Sequence, residues 1–414
     1  MEELPESLDE TYERVLREIK KPNRDHARRL MQCLVVAIRP LRVEELAEVL
    51  AVDFDDASGI PKLKPSWRWE DQEQALLTSC SSLIVIVDTG YHRVVQFSHF
   101  SVKEFLTSAR LTTSSQDVSR YHIGLRHGHT IMAQACLSIL LRLDHVIKDS
   151  SVKERSPFAS YAAEYWVRHA QFEDVVSRIK GMEDLFDPDK PYFVAWCKLY
   201  DIDTNPPWGS IFFHFAGTKS DASTLYCAAL CGFTNLVEQL ISKHPQHVHA
   251  IGGYYMTPAV AALAGRHFQL AQALHLAGSS VDLRGMFQSS PLHSAAFYGD
   301  IEMVQVLLDY GVDVNIRSIS NRTPLYYALN EYSNDPGAVR LLLDRGADPN
   351  LGTKSGDTPL HKASRYGRVE MARLLFEHGA SVEVKGRDGK TALDLASEKQ
   401  HDEMVKLLSE HGAK

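Results

Sequence analysis

The second half of the chain repeats itself about every 33 residues, and that period decides what it can fold into. Units open at Thr224 (TLYCAALCGFTNLVEQLI), Thr257 (TPAVAALAGRHFQLAQALHLAG), Ser290 (SPLHSAAFYGDIEMVQVLLDYG), Thr323 (TPLYYALNEYSNDPGAVRLLLDRG), Thr358 (TPLHKASRYGRVEMARLLFEHG) and Thr391 (TALDLASEKQHDEMVKLLSEHG). Their starts lie 33, 33, 33, 35 and 33 residues apart. One such unit cannot bury its apolar face alone, so neighbours must stack into a solenoid. Thr or Ser caps a first helix, and Pro is tolerated in its first turn, where an N–H would lack a partner. V-x-x-L-L is the apolar stripe of a second helix, which the following Gly ends in the left-handed conformation. The longer unit carries Asn334-Asp335-Pro336-Gly337, turn chemistry that places two extra residues between its helices. In the last unit SEKQHDEM replaces small turn residues with polar ones, as a solvent-facing terminal repeat requires.

The box T-P-L-H-x-A resembles the ankyrin repeat. The resemblance implies helix pairs joined by projecting fingers, here tipped by RSISNR, GTKSGD and KGRDGK. It also implies a protein partner met by the fingers and the concave face of first helices. Tyr and Arg are enriched in interface hot spots. The expected contact residues are therefore Tyr298, Tyr327, Arg365, Tyr366 and Arg368 on or just after first helices, with Arg317, Lys354 and Arg387 on the fingers. Arg322 adds to that basic edge, which would face an acidic surface. Phe297 and Tyr326 fit either contact with a partner or packing between units.

The first half has no such period. PESLDETYERVLREI opens with a capping-box pattern, Ser7 with Glu10, and RDHARRLMQCLVVAI has helical apolar spacing that Arg39-Pro40 interrupts. VEELAEVLA and EDQEQALLTSCS predict two more helices, and SLIVIVDTGYHRVVQFSH predicts two strands across a Thr89-Gly90 turn. Three helices and a two-stranded wing predict a winged helix. LPESLDETYERVL, RPLRVEELAEVLAVDF and VVQFSHFSVKEFLTSARL resemble the winged-helix segment that follows the NTPase module in fungal NACHT proteins of the STAND class. YHIGLRHGHTIMAQACLSIL and YAAEYWVRHA resemble the helical stretch leading into their ankyrin repeats. The winged segment also resembles a portion of inositol-deacylase-like proteins, a likeness that brings no catalytic residue with it.

The resemblance carries one residue over. A pattern like F-x-H-x-[ST]-[FV]-x-E-F falls on Phe97, His99, Ser101, Val102, Glu104 and Phe105, and implies that His99 touches a nucleotide diphosphate if an NTPase module is supplied. The other reading is a hydrogen bond at a strand-to-helix junction, before a helix capped by Ser101 and Glu104. No G-x-x-x-x-G-K-[ST] occurs in the chain. Gly389-Lys390-Thr391 imitates its tail, but Val384 stands where the first glycine belongs, and the stretch aligns with KSGDTPLHK one unit earlier. The chain is expected to begin where an NTPase module would end, as a truncated paralogue or a fragment of a longer product.

Other chemistries find little purchase. The formal charge of −8 and the acids Glu44, Glu45, Glu48, Asp71 and Glu73 on the predicted helices oppose binding to a duplex, with Arg28, Arg29, Lys62 and Lys64 too dispersed to compensate. His122, His127 and His129, and His244, His247 and His249, cluster without a zinc-like set and are expected in loops and caps. Cys227 and Cys231 read as core, and the six scattered cysteines as reduced thiols. The apolar runs fall short of the roughly 20 residues of a membrane span. No nucleophile elbow occurs.

The sequence thus predicts a mainly α chain: a winged helix (α+β) at 1–112, a helical connector at 113–222 and an ankyrin solenoid at 223–414. The expected role is non-enzymatic, cytoplasmic or nuclear, without cofactor, metal, membrane, nucleic acid or small-molecule ligand. The ankyrin face would recognise a protein, and the winged helix would couple that contact to a NACHT module. The alternatives are a stand-alone ankyrin scaffold with a vestigial winged helix, and a DNA-associated regulator.

Overall fold

The computed structural model describes residues 6–56, 59–80, 82–143, 156–202, 222–282, 290–332 and 334–413. The chain divides into two compact units, residues 1–209 and 210–414.

The first unit is built on helices α1 (Glu6–Glu18), α2 (Arg24–Val36), α3 (Val43–Leu50) and α4 (Gln72–Cys80), and on a three-stranded sheet. Helix α1 already includes Glu6, so Ser7 lies inside its first turn rather than before it, and the Ser7 side chain falls outside the described residues. Strands β1 (Leu41–Arg42), β4 (Ile84–Asp88) and β5 (Arg93–Phe97) run in the order β1-β5-β4, with Leu41 opposite Val95 and Ile84 opposite Phe97. β1, too short to show alternation, adds a strand to the expected two-stranded wing. A second pair, β2 (Val52–Asp53) and β3 (Lys62–Leu63), leads towards α4. Leu30, Met31, Leu46, Val49 and Leu76 of α2, α3 and α4 and Val95 of the sheet are closed to solvent, with α2 and α3 packed on β5 and α4 on β4.

Two of the acids expected to repel a duplex point inward instead. Glu45 is fully buried; both its oxygens are gripped by Arg39 at 2.7 and 2.8 Å, and it accepts from the Arg42 backbone N–H at 2.9 Å. Glu48 pairs with Arg68 and accepts from Ser156 Oγ at 3.0 Å and the Phe158 N–H at 2.8 Å. Burial pushes the Glu48 carboxyl up, and these donors pull it back. Neither acid repels anything outside; both tie loops to α3.

The chain continues through α5 (Phe100–Thr107), α6 (Ala109–Thr113), α7 (Gln116–Ser119), α8 (Leu125–Leu140), α9 (Ala159–Ala170), α10 (Met182–Leu185) and α11 (Tyr192–Leu199). α8 packs on α2 and on α9, so these helices share one unit with the winged helix. Trp166, Phe186, Phe193 and Trp196 close the far end, with Trp166 and Trp196 edge-on at 5.4 Å and the Trp196 indole N–H donating to Ala163 O at 2.9 Å.

Among the described residues the second unit forms six helix pairs: α12/α13 (Thr224–Leu230, Thr234–Lys243), α14/α15 (Pro258–Ala264, Phe268–Leu276), α16/α17 (Pro291–Tyr298, Ile301–Asp309), α18/α19 (Pro324–Ala328, Gly337–Asp344), α20/α21 (Pro359–Arg365, Val369–Glu377) and α22/α23 (Ala392–Glu398, Asp402–Glu410). The caps are Ser223, Thr257, Ser290, Thr323, Thr358 and Thr391. The first unit therefore opens one residue before the expected Thr224: the Ser223 hydroxyl accepts from the Tyr226 N–H at 3.2 Å, and Thr224 is buried inside the helix. The insertion in the fourth unit does lie between its helices, and α18 ends early at Ala328. Asn315 and Asn350 stitch neighbouring units: each amide donates to a carbonyl of the next unit (Gly346, Gly379) and accepts a backbone N–H there (Asp348, Ser381). No helix among the described residues is long and apolar enough to cross a membrane.

Candidate functional site

The first-helix face of the repeats is organised by the fourth residue of the box. In the third unit the His293 ring caps its own helix through Nδ1 and Ser290, and Nε2 lies 3.0 Å from Arg322 O, just before the next cap. His361 does the same in the fifth unit, with Thr358 behind it and Lys390 O at 3.2 Å in front. The fourth unit has Tyr326 in that column and lacks the imidazole tie. Lys362 answers from the fifth unit: its ammonium donates to Tyr326 O at 2.9 Å and lies 4.5 Å from the Tyr326 ring centroid and 5.7 Å from that of Tyr327. The Arg322 guanidinium stands 5.5 Å from the same Tyr326 ring. Burial first, then the charges of Arg322 and Arg365, lowers the Lys362 ammonium to about 7.

The expected contact residues divide by their occupation. Tyr327 is half-buried against His293, edge-on at 5.2 Å. Tyr298 is 43% exposed and edge-on to Phe297 at 5.1 Å, and the insertion brings Tyr332, 78% exposed, to 6.0 Å from the same ring. Tyr366 is half-buried. Tyr326 is packing between units. Arg317 is an internal brace, donating to Asn321 O at 3.3 Å and to Gly352 O of the next finger at 3.1 Å. Arg368 donates to Glu331 O at 2.6 Å, and Arg365 pairs with Asp357 at 3.5 Å. Lys354 and Arg387 are exposed, held by their backbones: Lys354 N–H to Ser320 O at 3.3 Å, Arg387 N–H to Asp357 Oδ1 at 2.7 Å. Lys362 and Tyr332 went unmarked in the sequence, although Lys362 sits beside Tyr327 in the variable column of the box, where a groove-facing residue is expected.

In the first unit His99 is itself the cap of α5, replacing the expected pair Ser101 and Glu104. Its Nδ1 accepts from the Ser101 N–H at 3.3 Å and stands 2.5 Å from Ser101 Oγ, which in turn lies 2.7 Å from Tyr12 Oη on α1. Nδ1 is thereby occupied, and in the neutral ring the proton rests on Nε2. Phe100 beside it is 70% exposed.

The histidine clusters form no metal site among the described residues. His129 instead meets His169, Nδ1 to Nδ1 at 2.9 Å; His169 Nε2 lies 3.0 Å from Tyr161 Oη, which accepts from the Ile38 N–H at 3.1 Å. Desolvation holds His129 down at about 4 and His169, fully buried, at about 3. Spacing could not show this relay, because its members come from α8, α9 and the segment after α2. His244 and His247 stack at 5.3 Å, and His249 Nδ1 lies 3.1 Å from Gly278 O. Gly389-Lys390-Thr391 is a finger and a cap: Thr391 and Asp394 form a capping box, and Lys390 pairs with Glu398. The six cysteines are free thiols, all buried except the half-buried Cys197.

Residues 12–116 match the family model described as GPI inositol-deacylase, winged helix domain, and residues 259–353 and 331–414 match that of ankyrin repeats. The chain carries a winged helix domain of this type followed by ankyrin repeats. Azaphilone pigments biosynthesis cluster protein L of Monascus ruber is 30% identical over 293 residues, 67% of this chain and 60% of that protein. The chain thus aligns with less than two thirds of that relative's length. Putative ankyrin repeat protein FPV230 of Fowlpox virus is 34% identical over 61 residues, 15% of this chain and 32% of the viral protein. The ankyrin repeats make the second unit a protein-interaction module, and the fold is mainly α.

Proposed function

We propose that this chain is a non-enzymatic recognition and regulatory protein, organised as a winged helix at 1–112, a helical connector at 113–222 and a partner-binding ankyrin stack at 223–414. One observation carries the reading: Tyr298 and Tyr332 hold large ring surface in water, fixed edge-on around Phe297 at the turn between helices. Rigid exposed tyrosines offer contact area at low entropic cost. Affinity capture with the full chain from extracts of its source cells tests this. A specific protein should be retained and then lost with the Tyr298→Ala/Tyr332→Ala double variant; equal recovery by that variant overturns the reading.

The winged helix is proposed to couple this contact to an NTPase module of the NACHT type. Supporting this, His99 directs Nε2 away from its cap beside exposed Phe100, and the edge strand β4 exposes Val85 and Val87, 40% and 39% open. The chain alone should give no heat with ADP or ATP in titration calorimetry; micromolar binding would remove the need for a separate module. The duplex-binding alternative is disfavoured by α4, the helix a winged helix lays in the major groove: it has no Lys or Arg, and its Glu73 pairs with Arg93.

A further inference from the structure

Arg322 and Lys362 converge on one tyrosine ring. Among the described residues neither has a carboxylate at ion-pair distance, and Lys362 Nζ is satisfied by a single backbone carbonyl, Tyr326 O. The acids nearby are engaged. Asp357 receives the Arg365 guanidinium and the Arg387 N–H, and the Glu331 carboxylate is hydrogen-bonded to the Tyr332 side chain. A half-buried ammonium with spare donors and no anion is a site with an unfilled electrostatic demand. The rings of Tyr326 and Tyr327 flank it with apolar faces. The fingers around it add Lys354 and Arg387, both exposed.

The geometry points to a carboxylate seat: Lys362 and Arg322 receive an Asp or Glu side chain of an acidic peptide segment, whose neighbouring apolar residue lies against Tyr327. This rests on the reading of the ankyrin stack as the partner-binding unit, and names the chemistry of the partner. An acidic segment complements this basic edge of a chain that is otherwise net negative, at −8. The seat also has a signature that a general basic surface lacks. The ammonium feels two guanidinium groups, Arg322 and Arg365, which lower it, and the Glu331 carboxylate, which raises it, and burial above all brings it down to about 7. A carboxylate binds its protonated form, so affinity must fall as pH rises through that value.

The test is fluorescence anisotropy of a short fluorescein-labelled peptide of alternating Glu and Leu with the full chain. Binding should weaken about tenfold between pH 6 and pH 8.5. Lys362→Met keeps the aliphatic stem and should weaken binding at pH 6 about tenfold and flatten the pH profile. Arg322→Met should weaken it without flattening the profile, and Lys354→Met, on a finger tip, should change it by less than about twofold. Matching far-UV circular dichroism for the three variants confirms that each is folded. A Lys362→Met chain that binds like the parent, a flat parental profile, or displacement of the peptide by equimolar inorganic phosphate would each overturn the seat. Loss of the seat leaves the wider reading standing if Lys362→Met still captures the partner that Tyr298→Ala/Tyr332→Ala loses.

Discussion

The His129–His169 relay makes the first unit sensitive to acid in a calculable way. In the neutral arrangement every group is used once: the Ile38 N–H donates to Tyr161 Oη, the Tyr161 hydroxyl to His169 Nε2, and His169 Nδ1–H to His129 Nδ1. A proton added to either ring places a charge on a pair withdrawn from water and displaces the Tyr161 hydroxyl proton from its acceptor if the chain of bonds reverses to carry it. Desolvation first, and for His169 also the charge of a protonated His129, holds the folded rings unprotonated down to about 4 for His129 and about 3 for His169, against 6.5 in the unfolded chain. Both values are depressed, so the unfolded state binds more protons below 6.5. Stability is complete above that pH and falls as pH falls. Each group loses about 1.4 kcal/mol per pH unit in this window. Between pH 6.5 and pH 5 that is about 2 kcal/mol for buried His169 and somewhat less for half-buried His129, or about 3 to 4 kcal/mol together. This is a large part of the roughly 5 to 15 kcal/mol that holds a domain. His26 and His127, exposed but partly desolvated and near Arg29 and Arg28, are lowered too and add a smaller share to the slope, while Glu48, raised by burial, opposes it. The control is therefore the His129→Gln/His169→Gln double variant. All five tryptophans (Trp67, Trp69, Trp166, Trp196 and Trp208) precede residue 210, so tryptophan fluorescence in urea reports the first unit alone. The parent midpoint should drop steeply from pH 7.5 to pH 5, and the double variant, weaker at pH 7.5, should show a shallower slope. Equal slopes would refute the relay as the source.

Three further outcomes test other parts of the fold. Ser223→Ala should cost the second unit about 1 kcal/mol in urea unfolding followed by circular dichroism, and Thr224→Val, whose hydroxyl is buried without a partner, should cost almost nothing; the reverse order would restore the register read from sequence. Gln400→Gly should raise the stability of the same unit by about 0.5 to 1 kcal/mol, because Gln400 holds φ at 59° where other units use Gly232, Gly299 and Gly367; a loss would mean that its side chain contributes more than the backbone strain. Glu45→Ala should cost the first unit about 3 to 5 kcal/mol by tryptophan fluorescence, since it leaves the Arg39 guanidinium and the Arg42 N–H facing a cavity.

What was legible in the sequence was whatever repeats or alternates. The helix pairs follow from a period that the caps, the V-x-x-L-L stripe and the closing glycines all report together. The one slip in register, Thr224 for Ser223, arose because two hydroxyl residues adjoin and only the geometry shows which accepts from the N–H two residues past the helix start. Burial of acids was not legible. Glu45 and Glu48 fit a solvated helical face as well as a buried one, and what decides is the arrival of Arg39, Arg68 and Phe158 from outside the helix. His99 shows the same limit: its pattern marked the strand-to-helix junction, while the sequence assigned the cap to Ser101. A histidine is an uncommon cap, and only the close Nδ1 contact with the Ser101 N–H and Oγ reveals it. Lys362 was hidden because a lysine in a variable column ordinarily faces water.

The fourth ankyrin unit departs from the repeat in three linked ways, and the departures explain where the cations go. Tyr326 replaces the box histidine, so the imidazole that ties His293 to Arg322 O and His361 to Lys390 O has no counterpart at the junction of the fourth and fifth units. Helix α18 is short, and the inserted residues carry Tyr332 outward and leave Glu331 O for Arg368. Each unit of such a stack is stabilised chiefly by its neighbours, so a missing tie must be offset locally. The junction is held instead by Arg317 to Gly352 O, Lys362 to Tyr326 O and Arg368 to Glu331 O. Long cationic side chains thus replace a ring-to-carbonyl bond. Where the histidine needs only its own cap and one carbonyl, a lysine keeps two further donors and a charge. Tyr226 and Val260 leave the first two junctions without that imidazole too. It is the junction of the fourth and fifth units, however, that gathers cations without an ion-pair partner among the described residues, Arg322 and Lys362, beside exposed aromatic surface. An acidic ligand seated there would bridge the fourth and fifth units as well as bind them.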